Sequence, residues 1–273
     1  MKRLLKQVIP PFLWDMARRK LTAAPVRVTY EGRFESFEEV ARKYHDFTSY
    51  HSSVSEEAEL EEGRKRLRRF ESGKAPEDTV TLPRLNFLPT LLSAYPGEKT
   101  AILDVGGGLG ISFLDLKFSL PQRDFTMTVL ELPSMIQRGS DLFENYPEID
   151  FSSSLSDEGR GIDVVHFGSS LQYFEDYQGI LKRVADLHPD LIVISDTTMG
   201  DADSFVAAQV NMAERVIPRM VFNRKELEGI CADQGYDLVH RSVNYSQGLS
   251  FSNYDAPVSE TRHWNLVFQR ILE

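Results

Sequence analysis

The 273-residue sequence predicts an α/β fold: a mostly parallel sheet with an antiparallel end strand, preceded by a mainly helical N-terminal region. Two observations support this prediction. From residue 100 onward, short apolar runs typical of buried strands alternate with amphipathic runs typical of helices. The first apolar run ends in a glycine-rich turn, and residues 101–110 read Ala-Ile-Leu-Asp-Val-Gly-Gly-Gly-Leu-Gly. Such a turn between a strand and a helix marks the sheet edge at which α/β proteins bind ligands.

We divide the chain into three parts. Residues 1–22 form a basic and apolar arm, residues 23–98 a helical region, and residues 99–273 the sheet domain. Within the helical region, capping boxes at Ser36–Glu39 and Ser53–Glu56 each predict the start of a helix. The helix that the second box opens is rich in i,i+4 pairs of opposite charge, which indicates a solvated face.

The remaining elements follow in order along the chain. We expect helices at Leu85–Tyr95 and at about residues 110–120, 134–145, 176–187, 203–215 and 224–234. We expect strands at residues 100–105, 125–131, 149–152, 162–167, 191–195, 236–245 and 263–270. Because no helix separates the last two strands, they are expected to form an antiparallel pair at the end of the sheet.

The glycine turn has the spacing of a nucleotide-cofactor site. Gly106, Gly108 and Gly110 follow Asp104 at every second position, and their lack of side chains allows a cofactor to approach the backbone closely. Glu131 ends the next strand, 21 residues past Gly110. A carboxylate at that place can accept hydrogen bonds from both hydroxyls of a ribose.

The dinucleotide fingerprint Gly-x-Gly-x-x-Gly does not fit this turn. Counted from Gly106 its third glycine falls on Ile111, and counted from Gly108 it falls on Phe113. The pattern present, Asp-x-Gly-x-Gly-x-Gly, resembles the first motif of class I S-adenosylmethionine-dependent methyltransferases. This resemblance implies S-adenosylmethionine as the cofactor and a Rossmann-like, seven-stranded sheet. A turn without a ligand and an NAD(P)-dependent oxidoreductase are the alternatives.

Neighbouring strand ends supply further cofactor contacts in this interpretation. The small residues Gly168–Ser170 follow the fourth strand, and Ser153–Leu155 follows the third, where related methyltransferases hold the adenine. The expected cofactor-binding residues are Asp104, Gly106, Gly107, Gly108, Gly110, Glu131, Leu132, Ser154, Leu155, Ser169 and Ser170.

Methyl transfer to a hydroxyl oxygen requires a base, because a sugar hydroxyl is a poor nucleophile. The candidates are Asp196, which follows the fifth strand, then His263 and His166. Two of them have a simpler explanation: Asp196 could cap the following turn, and His166 lies in an apolar strand where a packed core histidine is the commoner outcome. No His, Cys, Asp or Glu cluster has the spacing of a metal site.

Several stretches resemble a family of bacterial methyltransferases encoded among genes for surface-polysaccharide (O-antigen or capsule) assembly. They are Val28–Phe34, Ile102–Gly110, Ser169–Tyr173 and Arg219–Glu228, followed by Gly235-Tyr236. The resemblance implies O-methylation of a sugar in a surface polysaccharide or its lipid-linked precursor, with a glycan or small molecule as acceptor. A non-catalytic binding protein of a glycan-assembly complex is the alternative.

Composition limits the partners and the compartment. The net charge of −10 and the pI of about 5.2 disfavour nucleic-acid binding. The single cysteine, Cys231, excludes an internal disulfide and fits the cytoplasm. The oligomeric state is left open.

The N-terminal arm differs from the rest of the chain in charge. Residues 1–20 carry six basic residues against one acid, and the apolar run Val8–Trp14 between them is too short to span a bilayer. Basic residues that flank Phe12 and Trp14 suit peripheral binding to anionic lipid at the inner face of the cytoplasmic membrane. The alternative is an arm that packs on its own domain.

Overall fold

The computed structural model describes residues 29–44, 53–74, 83–97, 99–155, 161–210, 216–244 and 251–271. The arm predicted at residues 1–22 lies outside the described residues. The strands are β1 (Tyr30–Phe34), β2 (Lys99–Val105), β3 (Asp124–Leu130), β4 (Ile149–Ser152), β5 (Val164–Gly168), β6 (Leu191–Gly200), β7 (Phe205–Gln209), β8 (Ile217–Asn223), β9 (Tyr236–Asn244) and β10 (Arg262–Arg270). The α-helices are α1 (Phe37–Lys43), α2 (Ser53–Glu71), α3 (Pro83–Ala94), α4 (Ile111–Ser119), α5 (Pro133–Leu142), α6 (Tyr177–Ala185) and α7 (Arg224–Asp233).

Seven strands form the central sheet in the order β4-β3-β2-β5-β6-β10-β9. The strands from β4 to β6 run parallel, and β10 runs antiparallel to both β6 and β9. The predicted Rossmann-like sheet with an antiparallel end is therefore confirmed. The carboxyl ends of the parallel strands meet at one edge, together with the amino end of β10.

A second, three-stranded arrangement extends from the end of β6. Strand β7 pairs antiparallel with β1 and with β8, and β8 joins β6 through Met199–Phe222 and Gly200–Asn223. We call β1, β7 and β8 the small sheet. It lies beside the carboxyl end of β6, which runs to Gly200 and not to the predicted residue 195.

The helix predicted at about residues 203–215 is wrong where the structure describes it. Residues Phe205–Gln209 form β7 instead, and β8 follows in a segment for which no strand was expected. All five residues of β7 are buried. A strand covered on both faces loses the alternation of apolar and polar residues that identifies strands in a sequence.

The core lies in two layers, one on each face of the central sheet. Val105 of β2 packs in one layer with Leu181 of α6 and Leu227 of α7. Ile102, on the opposite face of β2, packs in the other layer with Phe113 of α4. Alternate residues of one buried strand thus support both layers, which fixes the register of the sheet.

No helix among the described residues has the length and apolar character needed to cross a membrane.

Candidate active site

A cavity of about 1180 Å³ opens at the carboxyl edge of the central sheet. Its wall is formed by the glycine turn after β2, the ends of β3, β5 and β6, the start of β10, and parts of α2 and the small sheet. Pockets that hold one drug-sized ligand measure about 300–1,000 Å³. The cavity therefore has room for a second molecule beside a cofactor.

Three glycines of the turn differ in what an added side chain would meet. A Cβ added to Gly107 would lie 2.6 Å from Asp104 Oδ2, so this position is closed by packing against the carboxylate. Gly108 has a φ of +59° and nothing within 4 Å of an added Cβ. Its backbone consequently faces open space, as close approach of a ligand requires. Gly110 caps the start of α4, where an added Cβ would lie 2.7 Å from Ile149 Cδ1.

Glu131 is tied to the glycine turn. Its Oε1 accepts a hydrogen bond from the Gly108 amide at 3.1 Å, and its Oε2 accepts one from the Leu132 amide at 2.7 Å. These bonds hold the carboxylate at the cavity wall beside the open face of Gly108. Each carboxylate oxygen has a further lone pair for a ligand hydroxyl.

The turns after β4 and β5 lie at the same cavity. Ser154 and Leu155 line it after β4, and Ser169 and Ser170 line it after β5. Ser169 adopts a φ of +59°, an uncommon conformation for a residue other than glycine. The structure thus brings all the predicted cofactor residues to the cavity wall except Gly110, which packs behind it.

Asp196 and His263 form a buried pair in the cavity wall. Asp196 lies within β6 and has a φ of +52°. Its Oδ1 lies 3.1 Å from His263 Nδ1. The Asn244 amide donates to the same oxygen at 2.8 Å. Because a carboxylate only accepts hydrogen bonds, His263 Nδ1 carries a proton, and in the neutral imidazole Nε2 then has a lone pair. This Nε2 is buried and finds no hydrogen-bond partner in the part of the chain that the structure describes.

His166 is bonded on both sides and differs from His263 in this respect. Its Nδ1 lies 2.9 Å from Asp104 Oδ1, and its Nε2 lies 2.8 Å from the Ser195 hydroxyl. The Ser112 hydroxyl donates to the other oxygen of Asp104. All but Ser112 are buried, and they join β2, β5 and β6 at the cavity wall. We call Asp104, His166 and Ser195 the buried relay.

The small sheet adds a polar wall that the sequence analysis did not assign. Arg219, 2% exposed, donates hydrogen bonds to the Tyr30 hydroxyl at 2.8 Å and to the Thr198 hydroxyl at 2.9 Å. Its guanidinium lies 5.6 Å from the Tyr173 ring centroid, and Gln209 lines the cavity beside it. Burial raises the pKa of the Tyr30 hydroxyl, and Arg219 partly opposes this shift.

Three of these residues could have been found from the sequence. Tyr30, Tyr173 and Arg219 each fall within a stretch that carried the family resemblance, although no chemistry was assigned to them there. Tyr30 and Arg219 meet because β7 pairs with both β1 and β8, and no local pattern predicted these pairings.

Helix α2 closes one side of the cavity. Gly63 is buried against α4 and α5, and an added Cβ would lie 3.1 Å from both Leu109 Cδ1 and Leu142 Cδ2. Three charged residues of this helix line the cavity: Glu59, Glu62 and Arg66. Some of the charged residues of α2 therefore face the cavity, although the sequence predicted a solvated face for this helix.

No protein-family model and no curated protein matches this sequence. Among solved structures, the chain is similar to CalS10 from Micromonospora echinaspora, an amino pentose methyltransferase with bound S-adenosylmethionine. The identity is 16%, the match covers 81% of this chain and 98% of that chain, and the TM-score is 0.50.

Two further structures show the same relationship. A Burkholderia thailandensis N1-methyltransferase with bound 1,6-didemethyltoxoflavin and S-adenosylhomocysteine is 14% identical over 81% of this chain and 92% of that chain, with a TM-score of 0.48. The methyltransferase CcbJ from Streptomyces caelestis is 14% identical over 73% of this chain and 92% of that chain, with a TM-score of 0.47. The match to CalS10 and the strand order of the central sheet show the Rossmann-like fold of S-adenosylmethionine-dependent methyltransferases.

Proposed function

We propose that this protein is an S-adenosylmethionine-dependent O-methyltransferase in which His263 is the general base and Asp196 orients it. The observation that carries the proposal is the single cavity that holds both an open glycine turn and a histidine with an available lone pair. The first suits binding of the methyl donor, and the second suits activation of an acceptor hydroxyl.

The residues of the glycine turn fit the proposed cofactor. Gly108 leaves open space where any other residue would place a Cβ, and Glu131 stands beside it with lone pairs for the ribose hydroxyls. Ser154 and Leu155 lie at the neighbouring strand end, where the adenine would be held. S-adenosylmethionine, when bound, supplies the methyl group on a positively charged sulfur.

The protein's own groups would then handle the acceptor. His263 Nε2 would take the proton of the acceptor hydroxyl as this oxygen displaces the sulfur from the methyl carbon. Asp196 holds the imidazole in the tautomer that leaves Nε2 free, and stabilises the imidazolium that forms.

A sugar is the acceptor we propose, as a unit of a surface polysaccharide or its lipid-linked precursor. The polar wall of Tyr173, Gln209 and Arg219 offers an aromatic ring and hydrogen-bonding groups for a polyhydroxylated ligand. CalS10, which has a similar fold, is an amino pentose methyltransferase. Binding of residues 1–20 to the inner face of the membrane would bring the enzyme to lipid-linked acceptors.

The test combines binding and turnover. Calorimetric titration of the full chain with S-adenosylmethionine and with NAD separates a methyltransferase from an oxidoreductase. Turnover to S-adenosylhomocysteine is then measured with extracts that contain lipid-linked glycans, and with the same extracts after periodate cleavage of their sugar diols. Binding of NAD alone would refute the proposed donor, and turnover unaffected by periodate would refute the sugar acceptor.

A further inference from the structure

The buried relay carries a negative charge in the cavity wall that the proposed reaction does not use. With His166 neutral, Nδ1–H donates to Asp104, and Nε2 accepts the hydrogen bond of the Ser195 hydroxyl. Asp104 then remains an unneutralised carboxylate, held by His166 and Ser112. Protonation of His166 would cancel this charge. Its Nε2 would then donate to the Ser195 hydroxyl, which would have to donate its own proton to another group.

This charge lies directly behind the glycine turn. Asp104 Oδ2 is 2.6 Å from the place of a Cβ at Gly107, so the carboxylate lies directly against the backbone of the turn. Asp104 and His166 are 2% and 6% exposed. Salt screens such a buried charge far less than a charge at the surface, and its field therefore acts on a ligand in the cavity.

Methyl transfer changes the charge of the cofactor at one atom only. The donor's sulfur is bonded to three carbons and carries a positive charge; when the methyl group passes to the acceptor oxygen, the sulfur regains an electron pair and becomes neutral. The acceptor's proton leaves with the base. The amino, carboxylate and ribose groups of donor and product are the same.

We propose that the buried relay discriminates donor from product: its negative charge favours positively charged S-adenosylmethionine over neutral S-adenosylhomocysteine, and His166 sets that charge by its protonation. The inference depends on the proposed function because it assumes that this cofactor binds at the turn. Asp104 and His166 would act through this charge and not in the transfer step itself. A weaker preference for the product helps it to leave after transfer.

Other titratable and charged groups line the same cavity. They are Asp115 on α4, Glu131 after β3, Tyr173 after β5, Arg183 on α6, Asp196 on β6, Arg219 on β8, His263 on β10, and Glu59, Glu62 and Arg66 on α2. Of these, His263 is the other imidazole, so it serves as the control for His166.

The experiment measures the affinities of S-adenosylmethionine and S-adenosylhomocysteine for the whole chain by calorimetry, without an acceptor. For Asp104→Asn we expect the preference for the charged ligand to fall about tenfold relative to wild type, the order of one partly screened charge interaction. Ser112→Ala is the matched control, since it removes a hydrogen bond to the same carboxylate and leaves its charge.

A pH series keeps the proposal testable if Asp104→Asn does not fold. Between about pH 8 and 5.5, where imidazoles gain a proton, the wild-type preference should fall about tenfold. His166→Gln, which keeps an amide donor and acceptor but cannot titrate, should abolish that fall, whereas His263→Gln should keep it. A preference that does not change with pH, or a decrease that only His263→Gln abolishes, would contradict the proposed role of the buried relay. Failure of wild type to bind either ligand would instead refute the proposed cofactor.

Discussion

At the scale of single residues, the two cavity histidines differ in how their ring nitrogens are used. Both nitrogens of His166 lie within hydrogen-bond distance of side chains, at 2.9 Å from Asp104 and 2.8 Å from Ser195. His263 uses Nδ1 against Asp196, and its Nε2 has no partner among the described residues. The second arrangement leaves a lone pair for a substrate proton. Hydrogen bonding, and not burial, therefore separates the two roles that we propose.

Replacement of the proposed base should separate binding from chemistry. For His263→Gln we expect S-adenosylmethionine affinity within about threefold of wild type and turnover lower by on the order of a hundredfold or more, the usual contribution of a general base. Asp196→Asn should show the same pattern because the amide no longer fixes the imidazole tautomer. Calorimetry and a product assay measure the two quantities.

His240→Gln is the control for this pair, since it changes an exposed histidine of β9. Turnover that survives in His263→Gln but is lost in Asp196→Asn would instead make Asp196 the base. Normal turnover in both variants would exclude the pair.

The glycine turn and Glu131 permit a direct test of the proposed cofactor site. Glu131→Ala should weaken S-adenosylmethionine binding by about 1.5–3 kcal/mol, as expected for hydrogen bonds to a charged group. Gly108→Val should nearly abolish binding, because its side chain would fill the space beside the turn and its φ of +59° disfavours a branched residue. Titration calorimetry of folded protein provides the measurement.

Glu144→Ala, which removes an exposed carboxylate outside the cavity, serves as the control. Unchanged affinity in Glu131→Ala would show that this carboxylate does not hold the ribose.

Some residues of the site could be predicted from the sequence and others could not. The difference is whether a residue's contacts in the site are close in the chain or distant. Glu131 follows the glycine turn at a spacing set by one helix and one strand, so a fixed interval identifies it. Asp196 and His263 are 67 positions apart and meet only through the pairing of β6 with β10. Each was named as a candidate alone, and nothing in the sequence joined them.

At the scale of elements, the central sheet was predictable and the small sheet was not. Strand β3 has buried residues at alternate positions, so its apolar pattern shows its period. Strand β7 is buried throughout and carries two alanines, which are compatible with a helix as well. Its place is decided by β1 and β8 on its two sides, a contact between distant parts of the chain. The small sheet brings Gln209 and Arg219 to the cavity, so the error also hid part of the site.

Two glycines in helices predict opposite effects of added side chains. Gly63 of α2 has leucine side chains 3.1 Å from an added Cβ, so Gly63→Val should overpack this contact and destabilise the protein by about 1–3 kcal/mol. Gly229 of α7 has nothing within 4 Å of an added Cβ. Gly229→Ala should stabilise by about 0.5–1 kcal/mol, because alanine restricts the unfolded backbone and favours the helix.

Chemical unfolding measures both changes in free energy. Because α2 lines the cavity, Gly63→Val should also weaken S-adenosylmethionine binding, whereas Gly229→Ala should leave it unchanged. Stabilisation of the protein by both substitutions would contradict the close packing of α2 on Leu109 and Leu142.

At the scale of the whole molecule, charge is distributed unevenly along the chain. The net charge is −10, yet residues 1–20 carry six basic residues and one acidic residue. Anionic lipid repels most of the protein, so any attraction to a membrane must be local to this segment. Phe12 and Trp14 add apolar side chains that suit the interface between lipid and water.

We therefore expect residues 1–20 to bind anionic membranes reversibly. Each basic residue near the surface contributes about 1 kcal/mol, and this attraction weakens as salt is added. Co-sedimentation with vesicles of anionic or of neutral lipid should show salt-sensitive binding of the full chain to the anionic vesicles alone. A chain that starts at Ala23 is the matched control and should remain in solution. Equal partitioning of the two chains, or equal binding to both kinds of vesicle, would contradict membrane binding by the arm and favour its packing on the protein's own surface.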